Sequence, residues 1–121
     1  MKNLNFFLII QILLMYMGIQ AQSPSIEWQK CFGGSSAEYG IKIIQTSDNG
    51  YIAVGETQSN DFDAENNHSH YGDAFIVKLS MNFNTEWIKC IGGSNDDYTN
   101  TVIQTSDNGY ILSGSTDSND G

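Results

Sequence analysis

The sequence predicts an all-β protein assembled from repeated antiparallel four-stranded units. Three observations carry that expectation. The chain repeats itself: residues 27–61 laid over 86–120, an offset of 59, are identical at 22 of 35 positions. Within one period, four short runs have the β-branched and aromatic bias of strands and are separated by turn residues. Beyond residue 21, no stretch keeps apolar residues at i, i+3, i+4 and i+7 long enough to make a helix.

Residues 1–21 read as an export signal. Lys2 is the only charge before Glu27, residues 6–19 are apolar except for Gln11 and Gly18, and Gln20-Ala21-Gln22 follows. Charge, apolar run and small residue, in that order, make a secretory signal peptide, with cleavage expected after Ala21. The run of 14 residues is short of the ~20 that span a bilayer. No integral membrane segment is therefore expected after cleavage, the alternative being an uncleaved anchor.

Residues 22–32 are expected to be a leading outer strand, with the β-rich part at 26–32. Residues 33–91 form a complete repeat. It opens with Gly33-Gly34-Ser35, where paired glycines suit a sharp turn. Its strands are expected at 39–46, 50–57, 73–80 and 84–91. Asp48-Asn49-Gly50 between the first two is a strong hairpin signal, because Asn and Gly accept the positive φ of tight turns. A long polar loop, 58–72, joins the second strand to the third, and 81–84 is a short loop before the fourth. Four antiparallel strands per unit, running up and down, make a β-propeller blade, with a β-solenoid coil ranked second. Residues 92–121 repeat the opening of the unit and stop where the long loop should begin. The chain is thus expected to hold one full blade and part of a second, as the N-terminal piece of a larger ring. The rival reading is a small protein that assembles several copies into a ring.

Charge narrows the function. Five basic and 14 acidic residues give a net charge of -9, which becomes -10 once residues 1–21, with Lys2, are removed. That balance disfavours nucleic acid and anionic membranes as partners, since both require clustered Lys and Arg. Two cysteines are too few for a disulfide-built scaffold. Cys31 and Cys90 occupy equivalent positions in neighbouring units, beyond the ~7 Å Cα limit for a bridge, and are expected as two buried thiols.

The blade pattern resembles secreted bacterial β-propeller repeat proteins of the Bacteroidota type. It is carried by Gly33-Gly34-Ser35, Glu38-Tyr39, the run from Gln45 through Asp48-Asn49-Gly50 to Thr57, and the run from Gly72 to Leu79. The resemblance implies an extracellular or cell-surface propeller, often exported with a type IX secretion sorting domain, which is not visible here. It implies no reaction, because fold does not fix function. The turns at 46–50 and 105–109 also resemble the first half of the Asp-box of sialidase-type propellers, although Asp48 and Asp107 are expected to bond their own turn backbone.

The chemically suggestive stretch is the long loop. Asp61, Asp63 and Glu65 alternate like hard oxygen ligands and make a candidate calcium site, although the position that would be Gly in an EF-hand is Asn66 and the one that would be Glu is Gly72. His68 and His70 could hold a transition metal, but no third fixed ligand accompanies them. The bland reading of the loop is an acidic, solvated surface. Trp28 and Trp87 are expected to pack between neighbouring sheets, with ligand stacking as the alternative. No Ser-His-Asp set, spaced carboxylate pair or phosphate-binding loop can be assembled, so no catalytic residue is assigned. The expected function is a non-catalytic extracellular scaffold that binds a protein or glycan. The alternatives are the opening part of a propeller hydrolase whose catalytic residues lie on other blades, and a calcium-stabilised structural repeat.

Overall fold

The computed structural model describes residues 22–68 and 71–120. The export signal, 1–21, and His70 lie outside the described residues. The chain divides into two units, Met1–Lys30 and Cys31–Gly121. Of the first, residues 22–30 carry neither helix nor strand. The leading strand expected at 26–32 is not among the strands of the described residues, and neither sheet includes this segment.

The second unit is all-β apart from one short 3-10 turn, Phe62–Ala64, among the described residues. The strands are β1 (Glu38–Gln45), β2 (Tyr51–Thr57), β3 (Asp73–Leu79), β4 (Thr85–Ile91), β5 (Asp97–Gln104) and β6 (Tyr110–Thr116). Each lies within a residue or so of the run that predicted it, because the turn residues that flank each run stop the ladder there. The first four form one antiparallel sheet in the order β1-β2-β3-β4, here sheet A, and β5 and β6 form a two-stranded sheet, here sheet B. Sheet B repeats the first half of sheet A down to its irregularities. Both hairpins shift register at the same place, between Gly40 and Lys42 and between Thr99 and Thr101. Both turns hold an Asn with positive φ, Asn49 at 62° and Asn108 at 66°, as the sequence requires.

Strand alternation gives sheet A two apolar faces. On one, Ile52, Val54 and Ile76, with Ile44 and Trp87 at the margin, pack against Val102, Tyr110 and Leu112 of sheet B. Ile52 and Val102 are both 0% exposed, and burying a side chain of this size stabilises by about 1.5–3 kcal/mol. Trp87 meets Tyr110 edge-on at 6.2 Å between ring centres, so this tryptophan lies between the sheets as expected. On the other face, Phe75, Val77 and Leu79 pack with Ala64 from the long loop and with Phe32, Tyr51, Ile88 and Cys90. Tyr51 stacks on Phe83 at 5.4 Å, which holds Phe83 at a φ of 61° that a bulky side chain rarely adopts.

Candidate functional site

The shared residues of the repeat converge on one construction at the mouth of each hairpin. In the first copy, the Gly33-Gly34-Ser35 turn is held from three directions. Gly34 N–H donates to Glu38 Oε1 at 3.2 Å, Ser35 N–H to Asp61 Oδ1 at 2.8 Å, and Ser36 N–H to Ser59 Oγ at 2.8 Å. In the second copy, Gly93 N–H donates to Asp97 Oδ2 at 2.6 Å, Ser94 N–H to Asp120 Oδ1 at 2.9 Å, and Asn95 N–H to Ser118 Oγ at 2.9 Å. The serines in turn donate to the carboxylates, Ser59 to Glu38 and Ser118 to Asp97. A Cβ on Gly34 would run into Asp61 and Ser59, and one on Gly93 into Asp120 and Ser118, so glycine is needed for the close approach. Each clasp ties the entry of a unit's first strand to the exit of its second.

These bonds set the charges. Burial pushes the Asp97 carboxyl up, but the hydrogen bonds from Thr116, Gly93 and Ser118 outweigh it and hold the group below the usual carboxylate range. The Ser94 N–H and hydroxyl hold Asp120 low in the same way. At the hairpin turns, Asp48 and Asp107 accept from the hydroxyls of Thr46 and Thr105 and from the N–H of Gly50 and Gly109, at 2.9 and 3.1 Å. Both carboxyls are held below their ordinary value, Asp48 far below it, chiefly through the threonine hydroxyls. They thus bond their own turn backbone, as the sequence leads one to expect.

Two of the three acids of the candidate calcium site, Asp61 and Asp63, bond to the Gly33–Ser35 turn. Asp61 belongs to the clasp, and Asp63 accepts from Gly33 N–H at 3.3 Å while its own N–H donates back to Gly33 O at 3.2 Å. Glu65 is exposed at the end of the 3-10 turn. Among the described residues, no group of three or more His, Cys, Asp or Glu side chains is placed to hold a metal ion. The loop itself is anchored more firmly than an acidic surface loop needs to be. Ala64 is fully buried, and Asn67 donates to Ser59 O at 2.9 Å and Thr57 O at 3.3 Å.

Two arrangements had no signal in the loop or turn patterns. Lys78, in the middle of sheet A and 3% exposed, has its ammonium 2.9 Å from Asp48 Oδ2, 3.1 Å from Glu86 Oε2 and 2.9 Å from Leu79 O. All three donors are used. Burial lowers its pKa, and the bonds to Asp48 and Glu86 more than reverse this, leaving the charge secure. The second is Asp73, fully buried at the start of β3. Its Oδ2 accepts from His68 N–H at 2.8 Å and lies 2.8 Å from His68 Nδ1, while Oδ1 has no hydrogen-bond partner among the described residues.

Both cysteines are free thiols. Cys90 is half-buried, and burial pushes its thiol up to about 11, so it is a poor nucleophile. Cys31 was expected to be buried and is exposed, because the segment that carries it joins no sheet. No family model, no curated protein and no solved structure matches the chain.

Proposed function

We propose that this chain is an exported β-propeller repeat segment that acts as a non-catalytic scaffold outside the cell or at its surface, presenting polar loops to a protein or glycan. What supports this most is where the shared residues of the two repeats go. Glycines, serines, acids and threonines common to both copies build turns and clasps, and the common apolar residues build sheet faces. Repetition of this kind maintains an architecture. The four-stranded antiparallel meander of sheet A, with the two-stranded sheet stacked on its face, supports the reading of a blade and the start of its neighbour. The order of Lys2, the apolar run and Ala21 supports export.

The test is expression of the full chain in an exporting bacterial host, followed by fractionation, N-terminal sequencing and a glycan-array and pull-down screen. A product that begins at Gln22 outside the cytoplasm and retains a ligand is the expected result. An unprocessed cytoplasmic chain overturns export, and an exported chain that captures nothing overturns the binding scaffold.

A further inference from the structure

Sheets A and B stack front to back, and the repeat puts equivalent side chains on the two outward faces, that of sheet A being covered in part by Ala64 and Phe32. Inside the chain, the Ile52 face of sheet A meets the Val102 face of sheet B. By the offset of 59, the equivalent of Ile52 on sheet B is Ile111, and the equivalent of Val102 on sheet A is Ile43. Ile52 and Val102 are 0% exposed, whereas Ile111 is 55% and Ile43 59% exposed. Ile43 and Ile111, the equivalents of the two sealed positions, are therefore open and still apolar on the outer faces. Ile103, equivalent to Ile44, is exposed beside Ile111.

Two of the polar contacts at the internal interface have equivalents on the outer faces. Ser47 N–H donates to Gln104 Oε1 at 2.8 Å, Ser47 Oγ to Asn108 Oδ1 at 3.0 Å, and Lys42 Nζ to Thr101 Oγ1 at 2.8 Å. Moved by one period, the two serine contacts become Ser106 with Gln45 and Ser106 with Asn49, whereas Lys42 and Thr101 are already spent on each other. Ser106 on sheet B and Gln45 and Asn49 on sheet A are exposed.

We propose that a second copy of this chain docks the Ile43 face of its sheet A onto the Ile111 face of sheet B, continuing the internal interface from one molecule to the next. The contact is heterologous, head to tail, so copies close into a ring if the rotation between sheets allows it and otherwise extend. It is weaker than the internal one, because Ser113 stands where sheet A has Val54. The inference rests on the stacked-sheet part of the proposed function and not on export or ligand binding. Far-UV circular dichroism of the same samples reports the fold separately from association.

Sedimentation velocity of the full chain over a concentration series, with Ile43→Asp and Ile111→Asp, tests it. Both positions are exposed in the single chain, so each variant keeps the fold. The unaltered chain is expected to associate with rising concentration, each variant alone to stay monomeric, and an equimolar mixture of the two to form a one-to-one dimer and nothing larger. Gln45→Ala and Ser106→Ala serve as milder variants and should weaken association severalfold without changing the spectrum. A chain that stays monomeric up to about 1 mM overturns the proposal. So does association that survives both aspartate substitutions, which points to the apolar N-terminal run, or association lost in one variant only, which points to a symmetric contact.

Discussion

Ile52 and Ile111 offer a controlled comparison, since both follow the same seven residues, Gln-Thr-Ser-Asp-Asn-Gly-Tyr, and both lie second in their strand. Replacing each by Ala removes the same atoms from the same local sequence. The loss of strand preference, up to about 1 kcal/mol, falls on both variants and cancels in the difference. What remains is packing. Ile52 is sealed between the sheets, and emptying such a site costs about 2–5 kcal/mol. Ile111 is 55% exposed, so less than half of the ~1.5–3 kcal/mol of full burial is at stake, roughly 1 kcal/mol. The two variants should differ by about 1–4 kcal/mol, which at a slope of about 2 kcal/mol per molar urea is a gap of about 0.5–2 M between midpoints. The measurement is equilibrium urea unfolding followed by tryptophan fluorescence, at a concentration below self-association. Equal shifts for the two variants would refute the stacked arrangement of the sheets.

Three further outcomes are expected. Asp48, Asp97, Asp107 and Asp120 all have carboxyls held below their unfolded value of 3.8, so they favour the folded state above that pH and lose the advantage as pH falls below it; thermal melts should drop most steeply below about pH 4, and Asp48→Asn with Asp107→Asn should flatten the slope. Asp61→Ala removes the acceptor for Ser35 N–H and should cost about 1 kcal/mol, whereas chelator should leave the melting temperature of the unaltered chain unchanged, because Asp61 and Asp63 already serve turn N–H groups. At pH 8, a thiol reagent should label exposed Cys31 quickly and Cys90 only on unfolding, and equal rates would contradict the burial of Cys90.

The strands and hairpin turns were legible because their signals are local: alternation, Asp-Asn-Gly, and a polar residue at each boundary. Residues 26–32 carry the same local bias and form no strand, because pairing is a property of two segments and only one of them can be read from the run itself. Asp61 looked like a ligand when read with Asp63 and Glu65 along the loop. Its bond to Ser35 spans 26 residues, and the clue lay in the repeat, where Ser-Asn-Asp recurs at 118–120 together with the second Gly-Gly-Ser. Lys78 within an apolar run gave no hint of burial, since its two carboxylates come from a turn and a neighbouring strand.

The clasp has a consequence for how such a gene can change length. Glu38, Ser59 and Asp61 all belong to the copy whose turn they hold, and Asp97, Ser118 and Asp120 to theirs. Inserting or deleting one whole period of 59 residues therefore leaves every clasp intact, wherever the recombination falls, and changes only how many sheets stand in the stack. An insertion of another length inside 34–61 or 93–120 changes the spacing between a turn and its acid. Unequal crossing-over between the identical segments at 45–52 and 104–111 would shift the chain by one period each time, a change its hydrogen bonds tolerate.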